Sequence, residues 1–159
     1  VERTVLHEIQ GHAWPRHRAA SATLGIFGIG TAHGSDDQEG RALALEDAAS
    51  LLSPSRRLEL AWRHLAGRTV EQGADFVATT RLLIDDAGAA TDTALRIAAR
   101  VHRGGGLARE LVYLPAFLRI RDAWQRDRTV DVVLASGQVS LGAAVTLTPW
   151  IDTATAVAQ

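Results

Sequence analysis

Apolar residues recur at helical spacing over most of the chain, and this periodicity predicts a mainly α-helical protein. The Trp14-Pro15 pair is expected to end the first helix, because the residue before a proline disfavours helical backbone. Five glycines between residues 21 and 40 indicate a loop there. The predicted helices number five to six and cover residues 2–13, 41–52, 54–65, 69–84, 91–102 and 107–124.

The pattern changes after residue 129, where valine and leucine recur without clear helical spacing. This stretch favours short strands or short helical pieces. We find no internal repeat and no linker, so residues 1–159 are interpreted as a single domain. The chain contains no methionine and starts at Val1. We therefore expect it to be a piece of a longer protein.

Composition narrows the possible functions. Hydrophobic residues make up 47% and charged residues 22%, and the net charge is −1, so bulk electrostatics indicate neither a nucleic-acid nor a membrane partner. The absence of cysteine excludes thiolate metal sites. We find neither a membrane-spanning apolar run nor a signal peptide and expect a cytoplasmic location. Because all 17 basic residues are arginine, we expect a bacterial source.

The stretch VLHEIQGH, residues 5–12, places a glutamate after the first of two histidines. Its spacing is one residue longer than the His-Glu-x-x-His pattern of zinc proteases. On a regular α-helix, His7 and His12 would point about 140° apart. A π-type turn, made easier by Gly11, would bring them back to one face. The sequence therefore admits a metal site only if the helix is widened near Gly11.

A third protein ligand is needed for zinc, which would leave one coordination position open. The acid in the most suitable setting is Glu39, and the alternatives are Glu46, Asp36 and Asp37. Glu8 would then serve as general base.

An alternative interpretation makes His7 and His12 surface or hydrogen-bonded histidines and Glu8 a solvated acid. The other histidines for which we expect a structural or exposed role are His17, His33 and His64.

Arginines flank the triple glycine at residues 104–106. Arg100, Arg103 and the N–H groups of Gly105 and Gly106 would form an anion site at a helix N-terminus, suited to a terminal carboxylate. The alternative is a tight turn with solvated arginines. Tyr113, on the following helix, is either an electrophilic partner or a core aromatic residue.

Three segments together resemble one protein family: VLHEIQGH, DDQEGRALALEDAASLL and ARVHRGGGLARELVYL. This family comprises bacterial QEGLA-motif proteins, often labelled flavohaemoglobin-expression modulators, and the animal microtubule-associated tyrosine carboxypeptidases. Its blocks occur here in order, from Val5 to about Leu141. Two positions depart from the family pattern: Arg41 stands in place of a leucine and His102 in place of a tyrosine.

The resemblance implies a zincin-like helical core and an HExxxH zinc metallopeptidase. Its Zn²⁺ ligands would be His7, His12 and Glu39, with Glu8 as catalytic acid and base. In the animal members the reaction removes a C-terminal tyrosine from tubulin.

The resulting hypothesis is carboxypeptidase-type hydrolysis of a peptide or protein C-terminus. His102 or Arg103 would stabilise the oxyanion or hold the substrate carboxylate. Asp36, Asp37 and Gln38 are candidates for orienting the ligand histidines. The alternative is a non-catalytic regulatory or interaction domain that retains the fold. The sequence leaves the oligomeric state open.

Overall fold

The computed structural model describes residues 1–104 and 107–151, and none of these residues forms a strand. The prediction of a mainly α-helical protein is confirmed. Within these ranges no helix is both long enough and apolar enough to cross a membrane. The elements are α1 (Glu2–Val5), the π-helix π1 (Leu6–Ala13), α2 (Trp14–Ala20), α3 (Ile26–Ile29), α4 (Gly34–Ala48), α5 (Pro54–Glu71), α6 (Phe76–Arg81), the π-helix π2 (Leu82–Asp86), α7 (Thr91–His102), α8 (Leu107–Arg126), α9 (Val130–Leu134), α10 (Leu141–Leu147) and a 3-10 turn, Thr148–Trp150.

The elements fall into two compact units. The first contains residues 1–52 and the described residues from 116 onward, and the second contains residues 53–115. Helix α8 contributes its first part to the second unit and the rest to the first.

The first helical segment runs without a break through α1, π1 and α2. The prediction that Trp14-Pro15 ends the helix is wrong, because helical backbone continues to Ala20. Pro15 lies in the first turn of α2. A proline fits there because its fixed φ is already helical, and its cost is one missing N–H donor.

Helix α4 begins at Gly34 rather than at Arg41 and ends at Ala48. The glycines that indicated a loop therefore lie in or beside helices. At Gly40 a Cβ atom would lie 2.5 Å from the backbone of Ala116, so this glycine permits close helix packing. Asp36 and Asp37 lie in the first turn, where negative charge favours a helix.

Two short helices, α9 and α10, replace the strands considered after residue 129. Ser140 caps α10 by accepting a hydrogen bond from Ala143 N–H. Packing decides the structure here, because Val133 and Val139 enter a common core. That core consists of Phe27, Val133, Val139, Ala144 and Leu147.

The second unit departs from the predicted helix boundaries at two places. Helix α5 passes through Gly67 and ends at Glu71, and Asp75 then caps α6 by accepting from Ala78 N–H. The predicted helix over residues 69–84 is therefore divided by a turn at Gly73, where φ is +88°. The predicted helix over residues 91–102 matches α7. The core of this unit consists of Ala66, Leu83, Ala89, Ala94, Ile97 and Val101.

Three helices of the second unit are joined by a buried ion cluster. Glu110 of α8 is 1% exposed and accepts hydrogen bonds from Arg63 of α5 and Arg100 of α7. Burial by itself would raise the pKa of Glu110, but the two arginines outweigh burial and lower it. The carboxylate therefore stays ionised in the fold, where it compensates two cationic side chains.

We expect Glu110→Gln to lower the free energy of unfolding by about 3 kcal/mol near pH 7, because Arg63 loses its buried counter-charge. Since folding depresses the pKa of Glu110, the carboxylate stabilises fully above the unfolded pKa of about 4.3. This stabilisation is lost as the pH falls through the folded pKa. Urea unfolding at several pH values measures both effects.

The matched control is Glu71→Gln, which removes an exposed ion pair with Arg68 and should cost less than about 1 kcal/mol. A loss for Glu110→Gln that stays constant on acidification would contradict the assignment.

Candidate metal centre

The π-helical turn of π1 brings the two histidines of VLHEIQGH together. The ring centroids of His7 and His12 lie 5.1 Å apart, with an angle of 64° between the planes. Both residues lie inside Leu6–Ala13, which has π-helical geometry throughout. The prediction of a widened helix near Gly11 is confirmed. The i→i+5 hydrogen bonds of a π-helix widen the turn and bring side chains at positions i and i+5 closer to one face.

Helix α4 supplies the third side chain. Glu39 Oε2 lies 3.5 Å from His7 Nε2 and 3.6 Å from His12 Nε2. One ligand atom from each of the three residues lies within 4.8 Å of the other two. The three predicted ligands are therefore adjacent, and their binding of a metal stays a prediction.

Close packing of π1 on α4 makes this arrangement possible. Gly11 is buried, and a Cβ atom at its position would lie only 2.6 Å from the Cβ of Ala42. A side chain at residue 11 would therefore push the two helices apart. Ala42 lies three residues after Glu39, about one turn along α4. The glycine thus sets the separation between the histidines and the glutamate.

Glu46 is the group that orients His7. It is fully buried, and its Oε1 lies 2.7 Å from His7 Nδ1. A carboxylate can only accept a hydrogen bond, so Nδ1 donates and Nε2 is directed to Glu39. The second carboxylate oxygen, Oε2, is buried without a hydrogen-bond partner among the described residues. Glu46 is seven residues after Glu39, which is about two helical turns, so both lie on one face of α4.

The local charges shift the pKa values of this cluster. Burial alone would lower the pKa of His7, but Glu39 and Glu46 outweigh it and raise the pKa to about 9. For Glu39, burial acts to raise the pKa, while His12 and His7 together lower it well below its usual range. The two carboxylates thus favour a positive charge at His7.

The predicted orienting groups do not contact the histidines. Asp37 accepts from Arg119 and from the backbone N–H of Leu141. Gln38 donates a hydrogen bond to the carbonyl of Gly137, and Asp36 contacts the exposed ring of His33. The prediction for Asp36, Asp37 and Gln38 is therefore wrong. The position of Glu46, two turns after Glu39, was the sequence signal for the residue that takes this role.

Two further predicted features fall in the first unit. Glu8 follows His7 in π1, and its side chain is exposed. Arg41 is buried and turns away from solvent: it pairs with Asp131 and donates to the carbonyl of Gln10. The arginine that stands in place of the family's leucine therefore has a structural partner in α9.

The remaining predicted site residues lie in the second unit. His102 Nε2 is 3.0 Å from Thr79 Oγ1, and Arg103 is exposed at the end of α7. Arg100 pairs with Glu110, and the Tyr113 ring lies under the guanidinium of Arg63, 5.1 Å from it. The predicted substrate-binding residue Gly105 lies outside the described residues, as does Gly106.

Comparison with known proteins identifies a family for this chain. A family model described as microtubule-associated tyrosine carboxypeptidase matches residues 1–155. The chain belongs to this family. Neither a curated protein nor a solved structure matches the chain.

We expect Gly11→Ala to destabilise the fold by about 1–3 kcal/mol, because the added methyl group collides with Ala42. The double variant Gly11→Ala/Ala42→Gly should recover part of this loss, since it removes the nearest contact. Gly28→Ala is the matched control, because a Cβ atom there meets nothing within 4 Å. Chemical unfolding of the four proteins tests the packing. Equal stability of Gly11→Ala and wild type would show that the helices are not in close contact.

Proposed function

We propose that this chain is a zinc-dependent carboxypeptidase that hydrolyses the C-terminal peptide bond of a peptide or protein. The observation that carries the proposal is the convergence of His7, His12 and Glu39 on one point, in a chain that belongs to a carboxypeptidase family.

The donor set suits zinc. Two imidazoles and one carboxylate are a common ligand set in catalytic zinc sites, which keep a further position for water or substrate. Glu46 adds the carboxylate–histidine contact that typically fixes a ligand imidazole. The carboxylates of Glu39 and Glu46 raise the pKa of His7 because they favour a positive charge on its ring. They would favour a metal cation beside the ring for the same reason.

In the proposed mechanism, His7, His12 and Glu39 hold the ion, and Glu46 keeps His7 Nε2 directed toward it. Zinc, when bound, supplies a Lewis acid that polarises the scissile carbonyl and lowers the pKa of water. Glu8 accepts a proton from the attacking water and transfers it to the leaving amine. Its exposure leaves the carboxylate accessible to both.

The proposed substrate is a chain terminus, and its carboxylate requires a cationic partner. Arg103 is the arginine we propose for this role, because it is exposed, whereas Arg100 is engaged by Glu110. His102 stays a proposed oxyanion partner and Tyr113 a proposed substrate contact. The family description names tyrosine, so a C-terminal tyrosine is the first residue to test.

We expect about one zinc ion per chain after zinc loading and desalting, measured by plasma mass spectrometry. His12→Gln and Glu39→Gln should each lose most of the metal, because two donors hold zinc far less tightly than three. His17→Gln is the control, since this exposed histidine lies outside the cluster. A wild-type zinc content below about 0.2 per chain under these conditions would rule out the metal site.

We expect Glu8→Gln to reduce release of C-terminal residues from a peptide library by at least about 100-fold, because the general base is lost. Its zinc content should match that of the wild type, since Glu8 is not in the ligand cluster. Glu2→Gln, an exposed acid in α1, should retain full activity. Zinc-loaded wild type that releases no residue from any peptide would favour a non-catalytic domain.

A further inference from the structure

One carbonyl inside the π-helical turn lacks a backbone donor. In a helix, the carbonyl of Gln10 could accept from the N–H four or five residues later. The first of these, Trp14 N–H, donates instead to Ile9. The second residue is Pro15, which has no N–H. The end of π1 therefore leaves the Gln10 carbonyl to be satisfied by another group.

Arg41 of α4 supplies that group. Its Nη1 donates to Gln10 O over 2.7 Å, and its Nε donates to Asp131 Oδ1 over 2.6 Å. The Arg41 side chain is about 5% exposed, so the guanidinium itself is largely shielded from bulk water. Asp131 fixes the guanidinium and compensates its charge, while the opposite edge faces Gln10. Loss of the Arg41 donor would leave the Gln10 carbonyl without this hydrogen bond at the point where the backbone supplies no replacement.

We propose that Arg41 is a positioning residue: it replaces the hydrogen-bond donor that Pro15 lacks and thereby holds the π-helical turn that aligns His7 with His12. Gln10 lies between the two histidines, so the position of its carbonyl and the geometry of the turn are linked. Where this bears on metal affinity, the inference rests on the proposed function. The effect on the turn itself is independent of any metal.

The proposal predicts a specific rescue. Arg41→Met removes the donor but keeps a long apolar side chain, and Pro15→Ala restores a backbone N–H five residues after Gln10. Arg41→Met alone should therefore loosen π1, and Arg41→Met/Pro15→Ala should restore it. Asp131→Asn is the control for the ion pair, because it removes the counter-charge and keeps the guanidinium.

Hydrogen–deuterium exchange of the metal-free proteins provides the first readout. We expect residues 6–14 to exchange at least about fivefold faster in Arg41→Met, with most of this difference lost in the double variant. Zinc affinity, measured by competition with a chromophoric chelator, provides the second readout. It should fall at least about tenfold in Arg41→Met and recover in the double variant.

Three outcomes would overturn the proposal. The first is unchanged exchange in Arg41→Met, and the second is faster exchange in Arg41→Met that the added Pro15→Ala does not slow. The third is that Asp131→Asn speeds exchange as much as Arg41→Met does and that Pro15→Ala does not slow exchange in that background either. If wild type binds no zinc, the proposed function fails, while the exchange data still decide the role of Arg41. If Arg41→Met does not fold, Arg41→Leu in the wild-type and Pro15→Ala backgrounds takes its place, because leucine also lacks a hydrogen-bond donor.

Discussion

The candidate metal centre depends on one close contact, that of Gly11 in π1 with Ala42 in α4. Two imidazoles on one helix can meet a carboxylate on another only if the two backbones are close together. Here they are so close that a methyl group at residue 11 would not fit between them. The π-helical turn meets the other requirement, because it places His7 and His12 on the face that looks toward Glu39. Packing and helix geometry together, rather than either alone, bring the ligand atoms within 4.8 Å.

Helix α4 carries polar contacts to several elements of the first unit. Asp37 accepts hydrogen bonds from Arg119 of α8 and from the first N–H of α10. Arg41 donates hydrogen bonds to Asp131 of α9 and to the Gln10 carbonyl of π1. Asp37 and Arg41 are both buried, and each contacts a group of complementary charge or polarity, so these contacts are directional. Glu39, on the same helix, is consequently fixed relative to the elements around it. The Glu39 carboxylate is therefore held near His7 and His12 by contacts of its own helix.

Sequence reasoning predicted the helical class and the widened turn, because both follow from spacing along a single segment. The identity of the metal ligands stays a prediction. The same reasoning misplaced the start of α4 and the role of Asp37, since both depend on partners that are distant in sequence. Glycines gave the most misleading signal: at Gly40 a missing side chain serves helix packing, whereas the sequence pattern indicated a loop. After residue 129 the sequence left short strands and short helical pieces open, and the helical pieces form, with Val133 and Val139 in a shared core.

Electrostatics connect the fold of the centre to its chemistry. Two carboxylates face His7, one at each ring nitrogen, and Glu46 is wholly buried. Two carboxylates this close to one ring, one of them wholly buried, are unfavourable without positive charge nearby. In the metal-free chain a proton on His7 provides that charge, which is why the pKa of His7 rises to about 9. A divalent cation at Nε2 would compensate Glu39 directly and leave the Nδ1 proton shared with Glu46. Under the proposed function, the arrangement that stabilises the imidazolium would also hold a neutral imidazole with its Nε2 directed toward the metal.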